Sequence, residues 1–184
     1  MSNEAPQERT SGSAIQMLLL DVDGVLTDGR IILTGDDLES KSFDVQDGAG
    51  IVFLRSTGIK VGIITGRQSA VVERRARELS IDVVYQGSSN KVQALKEILE
   101  RFSLAPSQVA YIGDDWADIG IMKSVGLPLA VANARPEVKA VACHVASSHG
   151  GRGAVRELID WLMEREGLKS SVLDKAASTA MNHN

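Results

Sequence analysis

The sequence predicts an α/β protein in which helices cover both faces of a mostly parallel sheet. Three observations carry that prediction. Short apolar runs, too brief for helices, recur along the 184 residues. Stretches of helical period separate those runs. The residues with chemical potential stand where the runs end, which is where ligands bind in an open sheet of this kind. A composition of 43% apolar and 24% charged residues is that of a globular chain. The length suits one domain with a substantial core.

Met1 to Ser13 is polar, has no apolar segment of a secretory signal, and predicts a disordered tail over residues 1–14. The domain proper is expected over residues 15–166. Its first strand is the run Ala14 to Asp21, and later strands follow at Lys60–Thr65, Asp82–Tyr85, Val109–Gly113, Leu127–Val131 and Val141–Ala146. Helices are predicted between them. Ser69–Leu79 sets Val71, Val72, Ala76 and Leu79 at helical spacing, and Asn90–Phe102 does the same with Val92, Leu95, Ile98 and Leu99. A further helix spans Ala154–Arg165. Strands alternating with helices give right-handed crossovers and a Rossmann-like, doubly wound sheet.

Gly29–Asp47 breaks the rhythm. Two strand-like pieces, Arg30–Leu33 and Ser40–Val45, flank the turn signal Thr34-Gly35-Asp36-Asp37. This predicts a β-hairpin projecting from the sheet over about residues 29–47, a candidate lid or subunit contact. Residues 167–184 are polar and rich in Ser and Ala, and read as a flexible C-terminal tail.

Composition also excludes. Twenty basic against 24 acidic residues, a net charge of −4, argue against a nucleic-acid-coating protein. No run approaches the roughly 20 apolar residues of a membrane span. Cys143 is the only cysteine, so an intrachain disulfide and a cysteine zinc site are ruled out, and a reducing, cytoplasmic setting is the default.

The strongest chemical signal is Asp21-Val22-Asp23-Gly24, a strand ending in two carboxylates and a glycine. Alone it reads more readily as an acidic turn after a strand. Three further strand ends alter the balance. Thr65-Gly66-Arg67 offers a hydroxyl that otherwise serves as a helix cap. Lys91 stands at a helix start, where the dipole disfavours a cation unless an anion is near. Gly113-Asp114-Asp115-Trp116-Ala117-Asp118 again ends a strand in acids, an arrangement that an acidic helix start also explains. Together they gather several carboxylates, one hydroxyl and one lysine at one sheet edge. Hard oxygen ligands without a supporting Cys or His point to Mg²⁺, and that set suits a phosphoryl group.

In this order the motifs resemble the haloacid dehalogenase superfamily of phosphohydrolases, over about Met17 to Trp161. The resemblance implies that Asp21 is the nucleophile and Asp23 the general acid and base. It also implies that Thr65 and Lys91 hold phosphoryl oxygens, and that Mg²⁺ is bound by Asp21, the Asp23 carbonyl and Asp114. Asp115 and Asp118 would support them. There is no room for a large cap domain. DVDGVLTDG, KSFDVQDGAGI, IITGR, YQGSSNK and GGRGAVRE are similar to the 3-deoxy-D-manno-octulosonate 8-phosphate phosphatase family, which builds a sugar of lipopolysaccharide. That similarity implies a small phosphorylated sugar acid as substrate and a homotetramer assembled through the hairpin.

Arg67 bears on the choice of substrate. Related nonulosonate 9-phosphate phosphatases tend to carry glutamate there, whereas arginine can pair with a sugar-acid carboxylate. Gly66, Arg75 and Arg152 complete the candidate substrate set, Arg75 by reaching a neighbouring subunit's site. Arg75 and Arg67 read otherwise as a solvated face, and Gly150-Gly151-Arg152-Gly153 as a tight turn before a helix. The alternatives are a nonulosonate or broad phosphosugar phosphatase, and a catalytically silent tetrameric scaffold. His144 and His149 read as core and surface residues.

Overall fold

The computed structural model describes residues 15–34 and 39–181. The expected tail at 1–14, most of the hairpin turn and the last three residues lie outside that range. The first strand, β1 (Met17–Leu20), is wholly buried and sits at the centre of a six-stranded sheet. After it come β2 (Ile32–Leu33) and β3 (Glu39–Ser40), then α1 (Val45–Arg55), β4 (Lys60–Ile64), α2 (Ala70–Glu78), β5 (Val83–Tyr85) and α3 (Lys91–Phe102). The second half holds β6 (Val109–Gly113), α4 (Ile119–Met122), β7 (Leu127–Ala130), α5 (Pro136–Lys139), β8 (His144–Val145), α6 (Ala154–Arg165) and α7 (Lys169–Met181). The order across the main sheet is β5-β4-β1-β6-β7-β8, and every ladder in it is parallel.

This order explains the near-continuous apolar strands. β1, β4, β6 and β7 are covered on both faces, so nothing in them alternates toward water. The chain reverses direction across the sheet between β1 and β6, and a crevice opens at their carboxyl ends. Asp21 follows the end of β1 there, and Asp114 follows the end of β6.

The hairpin is shorter than the sequence pattern predicts. β2 and β3 pair antiparallel over two residues each, Ile32 with Ser40 and Leu33 with Glu39. Of the expected strand Ser40–Val45, only Ser40 is in a strand. The Asp44 side chain accepts the Gln46 N–H and starts α1 at Val45, so the apolar residues read as strand belong to the approach and first turn of a helix. The last strand likewise shrinks from the expected Val141–Ala146 to His144–Val145. The predicted helices begin one residue late because Ser69 and Asn90 are caps, their side chains accepting the Val72 and Gln93 N–H groups. The polar stretch after Gly167 carries α7, with Val172 buried.

One tie spans the fold. Asp47 on α1 is buried and accepts the Arg156 N–H at 2.7 Å. It thereby serves the first turn of α6, whose own N-cap, Gly153, has no side chain to offer. Its second carboxylate oxygen is buried without a hydrogen-bond partner, and burial pushes its pKa up to about 6.

Candidate active site

Asp21 is buried at the mouth of the crevice. One carboxylate oxygen accepts the Val22 N–H at 2.7 Å, and the other faces Lys91 Nζ at 2.9 Å. Lys91 is buried at the first position of α3, and its ammonium also reaches Asp118 at 2.7 Å and the Tyr111 hydroxyl at 3.2 Å. A cation at a helix start is explained by these two carboxylates. Burial works against the ammonium, but the attraction of Asp21 and Asp118 outweighs it and raises the Lys91 pKa.

Asp118 organises the β6 loop. It is completely buried. Oδ2 accepts the backbone N–H groups of Asp114 and Asp115 at 2.9 and 3.2 Å, while Oδ1 accepts Lys91 and the Tyr111 hydroxyl. The loop therefore turns back on itself and presents Asp114 to Asp21. Asp115 points outward, accepting the Trp116 N–H and standing 3.8 Å from Arg135.

Asp21, Asp114 and Asp118 each offer a carboxylate oxygen within 4.8 Å of the others. Asp114 Oδ1 is buried and has no hydrogen-bond partner. Burial, with the charges of Asp21, Asp118 and Asp115, pushes the Asp114 pKa up to about 7. Burial also lifts Asp21 to about 6, against the pull of Lys91. A buried carboxylate oxygen with no donor, set among other acids, is short of positive charge. A hard divalent cation with oxygen preference fits that deficit.

Two glycines permit this closeness. Gly24 has φ +95°, and a Cβ there would lie 2.1 Å from Asp114 Oδ2. A Cβ on Gly150 would lie 1.8 Å from the Gly24 carbonyl oxygen. Around that contact, Asn133 Nδ2 donates to the Gly24 carbonyl, Asn133 Oδ1 accepts the Gly150 N–H, and the Gly151 N–H donates to Val25. The glycine-rich turn clamps the Asp21–Asp23 loop by backbone contact. Arg152 is exposed beyond it.

Thr65 is buried at the end of β4, next to the first strand, and its backbone joins Tyr85 and Ser88. Gly66 is exposed beside it. Arg67 reaches toward the site, with Nε 3.8 Å from Asp23 and a guanidinium N–H donating to Glu39 of the hairpin at 3.3 Å. Arg75 lies elsewhere in the protomer, its guanidinium over the Phe43 ring at 5.8 Å and paired with Glu78 at 3.4 Å. His144 stacks flat on Trp161 at 4.3 Å, and His149 is exposed.

Sequence reasoning missed three contributors. Lys41 donates to Asp23 from the root of the hairpin, and no periodic signal marks it. Tyr111 stands inside an apolar strand, and its hydroxyl needed a buried partner, which was a usable clue. Asn133 closely follows β7 and was open to the same strand-end argument that found Asp114.

Residues 79–159 match the family of haloacid dehalogenase-like hydrolases. The chain is 45% identical to 3-deoxy-D-manno-octulosonate 8-phosphate phosphatase KdsC of Salmonella typhimurium, over 89% of this chain and 87% of that protein. It belongs to this phosphatase family. The Escherichia coli K12 phosphatase of the same name is 47% identical, over 83% of this chain and 81% of its own. Among solved structures, that of the Moraxella catarrhalis phosphatase, in complex with magnesium ion, phosphate ion and KDO molecule, superposes with TM-score 0.85 at 37% identity. It covers 88% of this chain and 92% of that one. The Yersinia pestis phosphatase gives 0.83 at 44% identity, over 85% and 84%. The chain is thus a phosphatase.

The clamp yields a prediction for this phosphatase. A Cβ in Gly150→Ala overlaps the Gly24 carbonyl, so the two loops must move apart, and a displacement near 1 Å at reacting groups costs roughly 10²-fold. Steady-state kcat/KM is expected to fall by about that factor. A variant with unimpaired turnover would show that the clamp does not position the loop.

Proposed function

We propose that the chain hydrolyses 3-deoxy-D-manno-octulosonate 8-phosphate to the free sugar acid and phosphate, in lipopolysaccharide precursor synthesis. The observation that carries this reading is Asp21, held by Lys91 at 2.9 Å and within 4.8 Å of the Asp114 carboxylate, one oxygen of which has no hydrogen-bond partner. That is a nucleophile flanked by one fixed cation and one place for another. The relatives named for this substrate support the sugar acid, and Arg67, exposed beside Asp23, is suited to its carboxylate.

In the proposed reaction, the Asp21 carboxylate attacks phosphorus and an Asp21–phosphate bond forms. The ester P–O bond breaks, and its electron pair leaves on the sugar oxygen, which takes a proton from Asp23. Water then attacks phosphorus, Asp23 takes its proton, and the Asp21 carboxylate is released with inorganic phosphate. Lys91 and Thr65 hold the phosphoryl oxygens. Mg²⁺ would be held by Asp21, Asp114 and the Asp23 carbonyl, and would neutralise phosphoryl charge.

The exposed apolar residues Ile31, Ile32, Leu33 and Val45 support assembly through the hairpin, as a homotetramer in which Arg75 and Arg152 serve the substrate pocket. Among the described residues no helix is long and apolar enough to cross a membrane, and we place the enzyme in the cytoplasm.

The test is phosphate release from 3-deoxy-D-manno-octulosonate 8-phosphate, from a nonulosonate 9-phosphate and from hexose phosphates, with Mg²⁺ and with EDTA. Selective, Mg²⁺-dependent release from the first is expected. Turnover of other esters alone would discard this substrate and the role of Arg67 while keeping Asp21.

A further inference from the structure

Lys41 is an unusual residue to find where it is. It follows β3 at the root of the hairpin, and its side chain has no exposed surface. Burying an ammonium carries a large desolvation penalty, and apolar side chains would latch a hairpin without it. Both partners of Lys41 are carboxylates. Nζ donates to Asp23 Oδ1, and Glu39 stands 3.3 Å away. The other Asp23 oxygen faces Arg67. Three of the site carboxylates therefore divide between two lysines with buried side chains, Asp21 and Asp118 on Lys91 and Asp23 on Lys41.

We infer that Lys41 is a positioning residue for proton transfer to the leaving group, acting through Asp23. The inference rests on the proposed role of Asp23 as general acid. When the ester P–O bond breaks, the leaving oxygen takes the Asp23 proton, and Asp23 becomes a carboxylate between Lys41 and Arg67. Lys41 fixes the direction in which Asp23 points and neutralises the charge that appears on it. Glu39 also pairs with this ammonium, so the hairpin carries both halves of a charge-balanced support.

A merely structural lysine and a positioning lysine differ in how they respond to the leaving group. An alkyl phosphate needs its departing alkoxide protonated, whereas p-nitrophenyl phosphate releases a stable phenolate and needs little help. The measurement is kcat/KM for both esters with Mg²⁺, since that ratio reports the steps up to ester cleavage. General acid catalysis contributes roughly 10²–10⁴-fold, so Lys41→Met is expected to lose about 30–100-fold on a primary alkyl phosphate and at least about tenfold less on the aryl ester. Lys41→Arg, which restores the cation, is expected to recover most of the alkyl activity. Lys41→Gln carries the same comparison if the Met variant does not fold.

Equal losses on the two esters, or no loss on either, would overturn the role of Lys41 while leaving the phosphatase reading intact. A wild-type protein inactive on both would overturn that reading and the role of Lys41 with it.

Discussion

Asp21→Asn is expected to abolish turnover, by roughly 10⁴-fold or more as for other enzymes that lose a nucleophile, in a protein that folds at least as well as the parent. An amide keeps the shape of the carboxylate and can still accept the Val22 N–H. It cannot attack phosphorus to give an acyl phosphate that water then resolves. The expectation for stability follows from the surroundings. Asp21 is buried beside Asp118, and burial pushes its pKa up to about 6 despite Lys91, so at neutral pH its charge opposes folding in the absence of a metal ion. Lys91 loses one partner in the variant but retains Asp118 and Tyr111. Melting in EDTA together with single-turnover phosphate release checks both halves. A folded variant with undiminished turnover would end the covalent mechanism.

The metal-free protein should lose stability as pH rises from 5 to 8, and Mg²⁺ should return most of it. The sign follows from linkage. Asp21, Asp47 and Asp114 have pKa values of about 6, 6 and 7 against an ordinary carboxyl value of 3.8. A group whose pKa is raised on folding favours the folded state when protonated. That contribution is complete below the unfolded value and disappears as pH passes through the folded one. Every tenfold gain in proton affinity on folding is worth about 1.4 kcal/mol. Because Asp21 and Asp114 share one electrostatic field, their joint effect is below the sum, on the order of 3–5 kcal/mol. For a chain of this size that is roughly 10 °C in Tm. Magnesium at a hundred times its Kd contributes about 2.7 kcal/mol. The part belonging to Asp47, which serves α6 and not the acid cluster, should remain lost. Thermal melts across pH in EDTA and in Mg²⁺ measure this directly. An Mg²⁺ effect that survives Asp114→Asn would place the ion elsewhere.

The sequence was informative where burial on both sides removes ambiguity. β1, β6 and β7, and β4 after its first residue Lys60, are apolar because helices cover both faces, and such runs have few other interpretations. The strand-end carboxylates were legible for the same reason, since a charged residue directly after a buried run has one place to go. Legibility failed where a few polar contacts decide the outcome. Ser40–Val45 has a strand-like composition, yet the single Asp44 cap converts its end into a helix start. Gly150 read as an ordinary turn glycine, because its purpose is set by Gly24, a residue 126 positions earlier in the chain. Lys41 was silent because its meaning is supplied entirely by Asp23 and Glu39.

The long-range seals have a consequence for assembly in time. The Asp21–Asp23 loop emerges early, but the Gly24 carbonyl is held by Asn133, and α1 is joined to α6 through Asp47 and Arg156, contacts that span 109 residues each. A growing chain that has β1, β4 and β5 in hand still lacks β6, the central strand's other neighbour, and the turn that presses the loop into shape. The acids of the site are thus brought together only after most of the polypeptide exists, and their mutual repulsion is deferred until the core that overcomes it has closed. In synthesis from the N-terminus, the contacts that hold the Asp21–Asp23 loop are unavailable until residues 133–151 have been made.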